Sequence, residues 1–593
     1  MLRQSLLAAA VAAALLSTAC SQDRAEPTAA AAAPAAPAAA AATASFEPAI
    51  NADDFVTHVK TLASDEFGGR APGSPGEEKT VEYLKAQFER MGLKPGNGDS
   101  YFQTVPMVET TADPSTVLKL TVDGKPRELK FGTDMVVGTR TGEAKVAFDD
   151  SELVFVGYGV NASEHNWNDY AGVDVKGKTV VILVNDPGFH AQDPELFEGK
   201  RMTYYGRWTY KFEEAARQGA KAAIIVHDNE GASYGWDVVR NSWSGAQFDL
   251  LAADDPDPRL PAQGWISGDA ARALFRDLGH DLDALYRAAN RSGFKAMPLK
   301  ASASLDLDST ITRKSSRNVV AMLPGAKRPD EAVVYMAHWD HLGDHAHEGH
   351  GEPTTPTGED AIYNGAVDNA TGVAGILEIA GAFAAQNLKP ERSVVFLGVT
   401  LEESGLLGSK YYVAHPAVPL EKTVAVINLD AMPVLGPSRD MTVVGFGSSE
   451  LEDLLKTTAD QQGRVLRAEA TPEDGFYFRS DHFNFAKAGV PALYAKGGDD
   501  LIEGGAAAGQ AAQVAYRDKR YHKPDDEYTP DWNVTGVVQD LEALYSVGRT
   551  VASGERWPTW YKGNAFRAAG DKLQAQRGRT AETAPANPAK PLP

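Results

Sequence analysis

Five short apolar segments recur between residues 318 and 498, and helix-like segments separate them. They are "NVVAMLPG", "EAVVYMAHWD", "SVVFLGVTLEE", "TVAVINLDAM" and "VPALYAKGG". The intervening "GVAGILEIAGAFAAQ" is one of the helix-like segments. This alternation is typical of a mostly parallel mixed sheet with helices on both faces. We therefore predict an α/β fold for this part of the chain.

The region before these segments has a different pattern of predicted strands and helices. "KTVVILVND" predicts a strand, and "TYKFEEAARQGAKAAIIVHD" predicts a helix that runs through Gly219 into another strand. Together with "LVFVGYGV" and "DYAGVDVKGKTVVILV", these pieces resemble the protease-associated (PA) domain. We expect a β-rich α/β lobe of this type at residues 141–300, inserted into the larger domain. A role in covering or gating a substrate site and a role as an inert spacer are both open.

The N-terminus has the pattern of an export signal. "MLRQSLLAAAVAAALLSTAC" has a basic start, an apolar stretch too short to span a bilayer, and small residues before Cys20. Cys20 is the single cysteine of the chain, so an internal disulfide is excluded. Its position resembles the acceptor of a bacterial lipoprotein signal. We expect export to the periplasm or cell envelope with a lipid anchor at Cys20. The alternative is simple cleavage and secretion.

The remaining boundaries follow from composition. Residues 1–20 are the expected signal peptide, and residues 21–48, rich in Ala and Pro, have the composition of a tether. Residues 49–140 and 301–560 are expected to form the main domain around the lobe. A C-terminal extension, 561–593, is expected to be partly disordered.

The formal net charge of −22 argues against a nucleic-acid partner, which requires basic patches. Contact with a membrane is expected only through the lipid anchor. The sequence leaves the oligomeric state open.

Residues able to bind a metal stand at the ends of three predicted strands. "VVYMAHWD" ends with His338 and Asp340, "FLGVTLEE" with Glu402 and Glu403, and "AVINLD" with Asp430. Because the carboxyl ends of parallel strands meet at one edge of a sheet, these side chains are expected to converge. Asp368, in "YNGAVDNATG", and His522, in "RYHKPDDEY", add two further ligand types. Imidazole and carboxylate together suit zinc, with manganese or cobalt as alternatives.

The ordered motifs "HWD", "GAVDNATG", "LEESGLLGS", "NLD", "SDHFNF…GVP" and "YHKPDDEY" resemble the M28 family of zinc metallopeptidases. The resemblance implies a zinc-exopeptidase type of fold and an aminopeptidase that acts on peptides. It also implies two zinc ions, with Asp368 bridging both and Glu402 as the general base. The ligands that it implies are His338, Asp368, Glu403, Asp430 and His522.

Four residues near these ligands receive supporting roles. Asp340 is expected to hold the His338 ring, with a turn cap as the alternative. Tyr521 is similar to a family tyrosine that stabilises the tetrahedral oxyanion, with plain packing as the alternative. Asp481 and His482, in "RSDHF", match a family motif close to the site.

The metal ligands do not separate the family's activities. Carboxypeptidase-like cleavage and glutaminyl cyclisation stay open beside aminopeptidase activity, because the groups that bind the substrate ends distinguish them. Asp499, Asp500 and Glu503, in "GGDDLIEGG", are candidate partners for a substrate ammonium group. A catalytically inactive, lipid-tethered binding protein is disfavoured because every ligand and the base are present. A serine hydrolase is disfavoured by the lack of a G-x-S-x-G motif.

One histidine-rich stretch has no role in this scheme. "DHLGDHAHEGHGE" contains His341, His345, His347 and His350. A surface loop beside the cleft is the favoured interpretation, and an accessory metal site is the alternative.

Overall fold

The structure, a computed structural model, describes residues 50–344 and 360–578. The expected signal peptide, the linker, Cys20 and the last part of the C-terminal extension lie outside the described residues. His345, His347 and His350 also lie outside them.

The described helices vary from single turns to five turns. In chain order they are α1 (Ala52–Leu62), α2 (Pro75–Arg90), α3 (Pro187–Ala191), α4 (Trp208–Arg217), α5 (Asn229–Ala232), α6 (Trp236–Ser244), α7 (Gly268–Asp277), α8 (Leu282–Ala289), α9 (Thr371–Ala385), α10 (Leu407–Ala414), α11 (Leu451–Gln461), α12 (His482–Lys487), α13 (Gly505–Lys519), α14 (Thr535–Ser553) and α15 (Arg567–Gln576).

The described strands are mostly short, with one long exception. In chain order they are β1 (Lys94–Pro95), β2 (Phe102–Ala112), β3 (Val117–Val122), β4 (Lys125–Lys130), β5 (Met135–Gly138), β6 (Lys145–Phe155), β7 (Asn161–Ala162), β8 (Trp167–Asn168), β9 (Thr179–Leu183), β10 (Ala222–Val226), β11 (Gln247–Leu250), β12 (Ala262–Ile266), β13 (Met297–Leu323), β14 (Arg328–His338), β15 (Gly343–Asp344), β16 (Ile362–Tyr363), β17 (Arg392–Val399), β18 (Thr423–Asn428), β19 (Asp440–Val443), β20 (Val465–Ala468) and β21 (Ala492–Gly497).

The first sheet has the order β11-β2-β13-β17-β14-β18-β21-β19-β20. Its four central strands, β17, β14, β18 and β21, run parallel to one another. Every residue of β17 and β18 is buried, since α9 and α14 pack on the sheet together with α12. The predicted mostly parallel α/β sheet is confirmed.

The second sheet has the order β4-β3-β13-β6-β9-β10-β12-β5. Strand β13 is 27 residues long and belongs to both sheets: its first half pairs with β6 and its second half with β2. The second sheet begins at Val117, earlier along the chain than the expected lobe boundary at residue 141. We call residues 113–308 the lobe.

Capping chemistry fixes the start of α2. The Ser74 hydroxyl accepts hydrogen bonds from the backbone N–H groups of Gly76 and Glu77, and Pro75 occupies the first helical position.

Within residues 50–344 and 360–578, no helix combines the length and apolar content that crossing a bilayer requires.

Candidate metal centre

Three strand ends of the first sheet converge as expected. Strand β14 lies between β17 and β18, in parallel register with both, and His338 is its last residue. Glu402 and Glu403 follow β17, and Asp430 follows β18. The order of the strands therefore places these four side chains at one edge of the sheet.

The first group of side chains gathers around His338. Its Nε2 atom lies 3.2 Å from Oδ1 of Asp368 and 3.6 Å from Oδ1 of Asp430. Its Nδ1 atom lies 3.1 Å from the backbone carbonyl oxygen of Asp340. Because a carbonyl can only accept, Nδ1 carries the proton and Nε2 is free to bind a cation.

The second group gathers around His522. Its Nε2 atom lies 3.3 Å from Oδ2 of Asp368 and 3.1 Å from Oε2 of Glu403. Asp368 thus turns one carboxylate oxygen towards each histidine. Ligand atoms of His338, Asp368 and Asp430 lie within 4.8 Å of one another, as do those of His341, Asp368 and Glu403.

The protonation equilibria show how strongly this cluster attracts positive charge. Burial lowers the pKa of His338, but the charge of Glu402 and contacts with Asp368 and Asp430 outweigh it and raise that pKa well above its usual range. Burial likewise opposes charge on His522, yet Glu403 and Asp368 raise its pKa to about 10. The carboxylates thus draw protons onto the imidazoles.

The donor set fits divalent metal ions. In the part of the chain that the structure describes, the side chains of Asp368, Glu403 and Asp430 form ion pairs with histidines only. Without a cation these buried carboxylates would repel one another, and that is costly in a low-dielectric environment. A bound divalent cation would offset this repulsion.

Glu402 and Glu403 point in different directions from one turn. Both backbone N–H groups donate to the carboxylate of Asp340, at 3.2 and 3.4 Å, and Asp340 is fully buried. Glu403 faces the histidines, whereas Glu402 lines a cavity of about 580 Å³. Burial and its carboxylate neighbours raise the pKa of Glu402, while His338 lowers it, with a net rise well above the usual range.

Asp340 holds the His338 ring through its backbone carbonyl. Its carboxylate lies 3.8 Å from that ring and fixes the turn instead.

The other predicted residues lie at different distances from the cavity. The Tyr521 ring stacks on the His522 ring at 4.0 Å between centroids and lines the cavity. Asp481 is fully buried and accepts a hydrogen bond of 2.6 Å from the Ser409 hydroxyl. His482 is fully buried against the Tyr477 and Tyr494 rings.

The interpretation of His341 as part of a surface loop is wrong. The residue is 1% exposed, and its Nδ1–H donates to Oε1 of Glu403 at 2.7 Å. Its position three residues after the end of β14 turns it back beneath the cluster, where its ring packs against Gly365. His341 therefore fixes the carboxylate of Glu403 or adds a ligand at that position.

Two further residues hold the ligands and were not singled out from the sequence. The Ser480 hydroxyl donates to Oδ2 of Asp430 at 2.5 Å. The carboxylate of Asp526 accepts from the backbone N–H groups of Val367 and Asp368, at 3.2 and 3.0 Å. Ser480 precedes the "DHF" motif and Asp526 lies in "HKPDDEY", so proximity to those motifs was the available signal.

The cavity lies between the lobe and the first sheet. Arg207, Trp208 and Tyr234 line it from the lobe, opposite Glu402 and Tyr521. Of the candidate ammonium partners, Asp499 lines the cavity. Asp500 instead forms an ion pair of 3.1 Å with Arg439, and Glu503 is exposed to solvent.

Comparison with known proteins gives matches in one family. The model of peptidase family M28 matches residues 318–546. Leucine aminopeptidase 2 of Trichophyton equinum is 30% identical over 395 residues, which are 64% of this chain and 68% of the relative. Leupeptin-inactivating enzyme 1 of Streptomyces exfoliatus is 27% identical over 46% of this chain, and the match spans 58% of that relative's length.

Solved structures give lower similarity. An aminopeptidase from Aneurinibacillus sp. strain AM-1 is 21% identical and superposes with a TM-score of 0.46, over 85% of this chain and 94% of the other. A zinc aminopeptidase from Bacillus subtilis is 18% identical with a TM-score of 0.39, over 87% and 100% of the two chains.

Proposed function

The chain belongs to peptidase family M28, and from that membership we propose that it is a di-zinc aminopeptidase that releases the N-terminal residue of peptides. The observation that carries the proposal is the position of Asp368, whose two carboxylate oxygens face two separate groups of ligands. Beside them, the carboxylate of Glu402 lines the cavity without a hydrogen bond from the described residues.

The residues assigned to the two zinc ions follow from the two groups. His338 and Asp430 would hold one ion, Glu403 and His522 the other, and Asp368 both. When bound, the ions supply Lewis acidity to the scissile carbonyl and to a water molecule. Three carboxylates offset most of the charge of two dications. Manganese or cobalt would suit the same donors.

The chain's own groups carry the protons. Glu402 lines the cavity without a hydrogen bond to its carboxylate from the described residues. The positive charge of bound zinc would lower its raised pKa, so that the carboxylate can accept a proton from the attacking water. It then passes that proton to the leaving amine, and such general acid–base help is worth about 10²–10⁴-fold in rate. The Tyr521 hydroxyl, on the same cavity wall, is assigned to the developing oxyanion.

The name of one relative and one cavity residue support release from the amino end. Leucine aminopeptidase 2 of Trichophyton equinum, the relative that is 30% identical to this chain, is an aminopeptidase by name. Asp499 offers a carboxylate in the cavity for the substrate's ammonium group. Carboxypeptidase-like cleavage is the second candidate, because Arg207 and Arg479 line the same cavity.

We assign the lobe to the PA type and give it a role in substrate binding, since it forms one wall of the cavity. We also propose export through the N-terminal signal, anchoring at Cys20, and peptides as the partners of the mature protein. Mass spectrometry of the protein from a bacterial membrane fraction tests the anchor: a diacylglyceryl group on Cys20 is expected, and an unmodified N-terminus beyond residue 20 contradicts it.

The experiment that tests the activity uses the purified full chain and a leucine-containing tripeptide. We expect release of leucine from the amino end, loss of that release with a chelator, and its return with zinc. Acetylation of the peptide's N-terminus should abolish cleavage. Cleavage of the acetylated peptide would point to the carboxypeptidase-like alternative, and cyclisation of an N-terminal glutamine peptide to the cyclase alternative.

A further inference from the structure

Three arginines line the cavity; Arg517 pairs with Asp474, whereas Arg207 and Arg479 come from the lobe and from the main domain. Arg207 immediately precedes α4 of the lobe, and Arg479 follows a helical turn at Phe476–Phe478 on the other side. Arg479 lies deep in the cleft, yet its side chain is exposed to the cavity. Arg207 is half-buried. Both side chains can therefore reach a bound substrate.

Neither arginine forms an ion pair with a described carboxylate, although the charge of Glu402 acts on both. Residues 50–344 and 360–578 give neither guanidinium an ion pair or a hydrogen-bond acceptor, and Nε of Arg207 is buried without a partner. The guanidinium carbon of Arg207 lies 5.4 Å from the centroid of the Trp208 ring, and that of Arg479 lies 5.1 Å from the centroid of the Phe476 ring. Asp474 and Glu469, on the same cavity wall, pair with Arg517 at 3.9 Å and Arg201 at 3.8 Å.

The two guanidinium groups differ in their electrostatic surroundings. Burial and the charge of Arg479 together lower the pKa of Arg207 to about 10, against the opposing effects of Tyr234 and Glu402. Burial also lowers the pKa of Arg479, but nearby tyrosines and the charges of Glu402 and Asp474 outweigh it and raise that pKa. Two like charges in a partly desolvated cleft are unfavourable unless an anion lies near them. Guanidinium groups match carboxylates in a bidentate geometry.

We propose that Arg207 and Arg479 form a subsite that binds a carboxylate of the peptide substrate. This inference deepens the proposed function and rests on it. It makes peptides that carry a carboxylate within reach of the metal centre the preferred substrates. Because Arg207 belongs to the lobe, the lobe contributes directly to substrate selection.

Two sources can supply that carboxylate. One is the free C-terminus of a dipeptide or tripeptide, and the other is an acidic side chain of a longer peptide. Leu-Ala, Leu-Ala-amide and Leu-Glu-amide separate them, since they carry a terminal carboxylate, no carboxylate and a side-chain carboxylate.

The kinetic test measures kcat/KM of the zinc-loaded full chain on these three peptides. We expect the preferred carboxylate peptide to exceed Leu-Ala-amide by about 10–100-fold, the worth of hydrogen bonds to a charged group. Arg479→Gln and Arg207→Gln should each move this ratio towards one. Arg479→Lys should restore part of it. The matched control is Arg276→Gln, an exposed lobe arginine, which should keep the wild-type ratio.

A binding test does not depend on turnover. Calorimetry on the Glu402→Gln variant should show tighter binding of the carboxylate peptide than of Leu-Ala-amide, and adding Arg479→Gln should remove the difference. If binding discriminates but no peptide is cleaved, the proposed activity fails and the subsite stands. Cleavage of N-acetyl-Leu-Ala would also reject aminopeptidase activity, but it would leave the subsite proposal intact. Equal kcat/KM and equal affinity for all three peptides in the unsubstituted chain would overturn the subsite.

Discussion

The two sheets of this protein place acidic residues at equivalent positions but use them differently. In the second sheet, the parallel strands β9 and β10 are followed by Asp186 and Asp228. In the first sheet, the parallel strands β17 and β18 are followed by Glu403 and Asp430. On strand-end chemistry alone, both edges look like candidate metal sites.

The chain satisfies the carboxylates of the second sheet by itself. Asp186 accepts from the Gly188 N–H at 3.1 Å and from the Thr203 hydroxyl at 2.7 Å. Asp228 caps α5 and lies 2.8 Å from Nε2 of His190.

The carboxylates of the first sheet face one another. Asp368, Glu403 and Asp430 surround three histidines, His338, His341 and His522. All three groups with metal-binding spacing among the described residues lie at this edge. The contrast shows that an acidic residue after a strand is a weak indicator of a metal. Carboxylates that converge without an ion pair to a lysine or arginine of the described residues are a stronger one.

The largest expected effect comes from the shared ligand. Asp368→Ala should lose both zinc ions and nearly all turnover, because each ligand group loses an oxygen. Zinc content by mass spectrometry and leucine release check this. Asp186→Asn, at the equivalent edge of the second sheet, is the matched control and should keep both; a full zinc content in Asp368→Ala would refute the sharing.

The next effect separates binding from catalysis. Glu402→Gln should keep both zinc ions, since Glu402 is assigned to proton transfer alone. Its kcat should fall by about 10²–10⁴-fold. Steady-state kinetics and zinc analysis of one preparation check this, and wild-type turnover would show that another group is the base.

A smaller effect is expected beneath the metal ligands. His341→Ala should weaken zinc binding by about 10–100-fold, because Glu403 loses the group that orients it. Competition with a chromophoric chelator measures the affinity. His190→Ala removes the corresponding contact of Asp228 in the lobe and should leave zinc affinity unchanged. If the two variants lowered zinc affinity equally, the two sheet edges would not differ in metal binding as described.

The smallest effect belongs to the second sheet. Asp228→Ala should leave zinc and turnover intact and lower the free energy of unfolding by about 1 kcal/mol, the usual worth of a helix cap. Urea denaturation followed by tryptophan fluorescence measures this. Loss of zinc from this variant would mean that the lobe edge also binds metal.

The sequence predicted those parts of the fold that depend on local pattern. The apolar segments ending at His338, Glu402 and Asp430 were recognisable because both faces of their strands are buried. Contacts made across the chain were not recognisable. His341 belongs to a histidine-rich stretch whose composition is typical of a surface loop. Its burial depends on residues such as Gly365, which are distant in the sequence. Arg207 reaches the cavity only because the lobe folds over the first sheet.

The most direct test is the anomalous scattering of zinc in crystals of the full chain. We predict two peaks about 3.5–4 Å apart on either side of the Asp368 carboxylate. One should lie against His338 and Asp430, the other against Glu403 and His522, and the edge of the second sheet at Asp186 and Asp228 should show none. A single peak, or a peak at Asp186 or Asp228, would contradict the account.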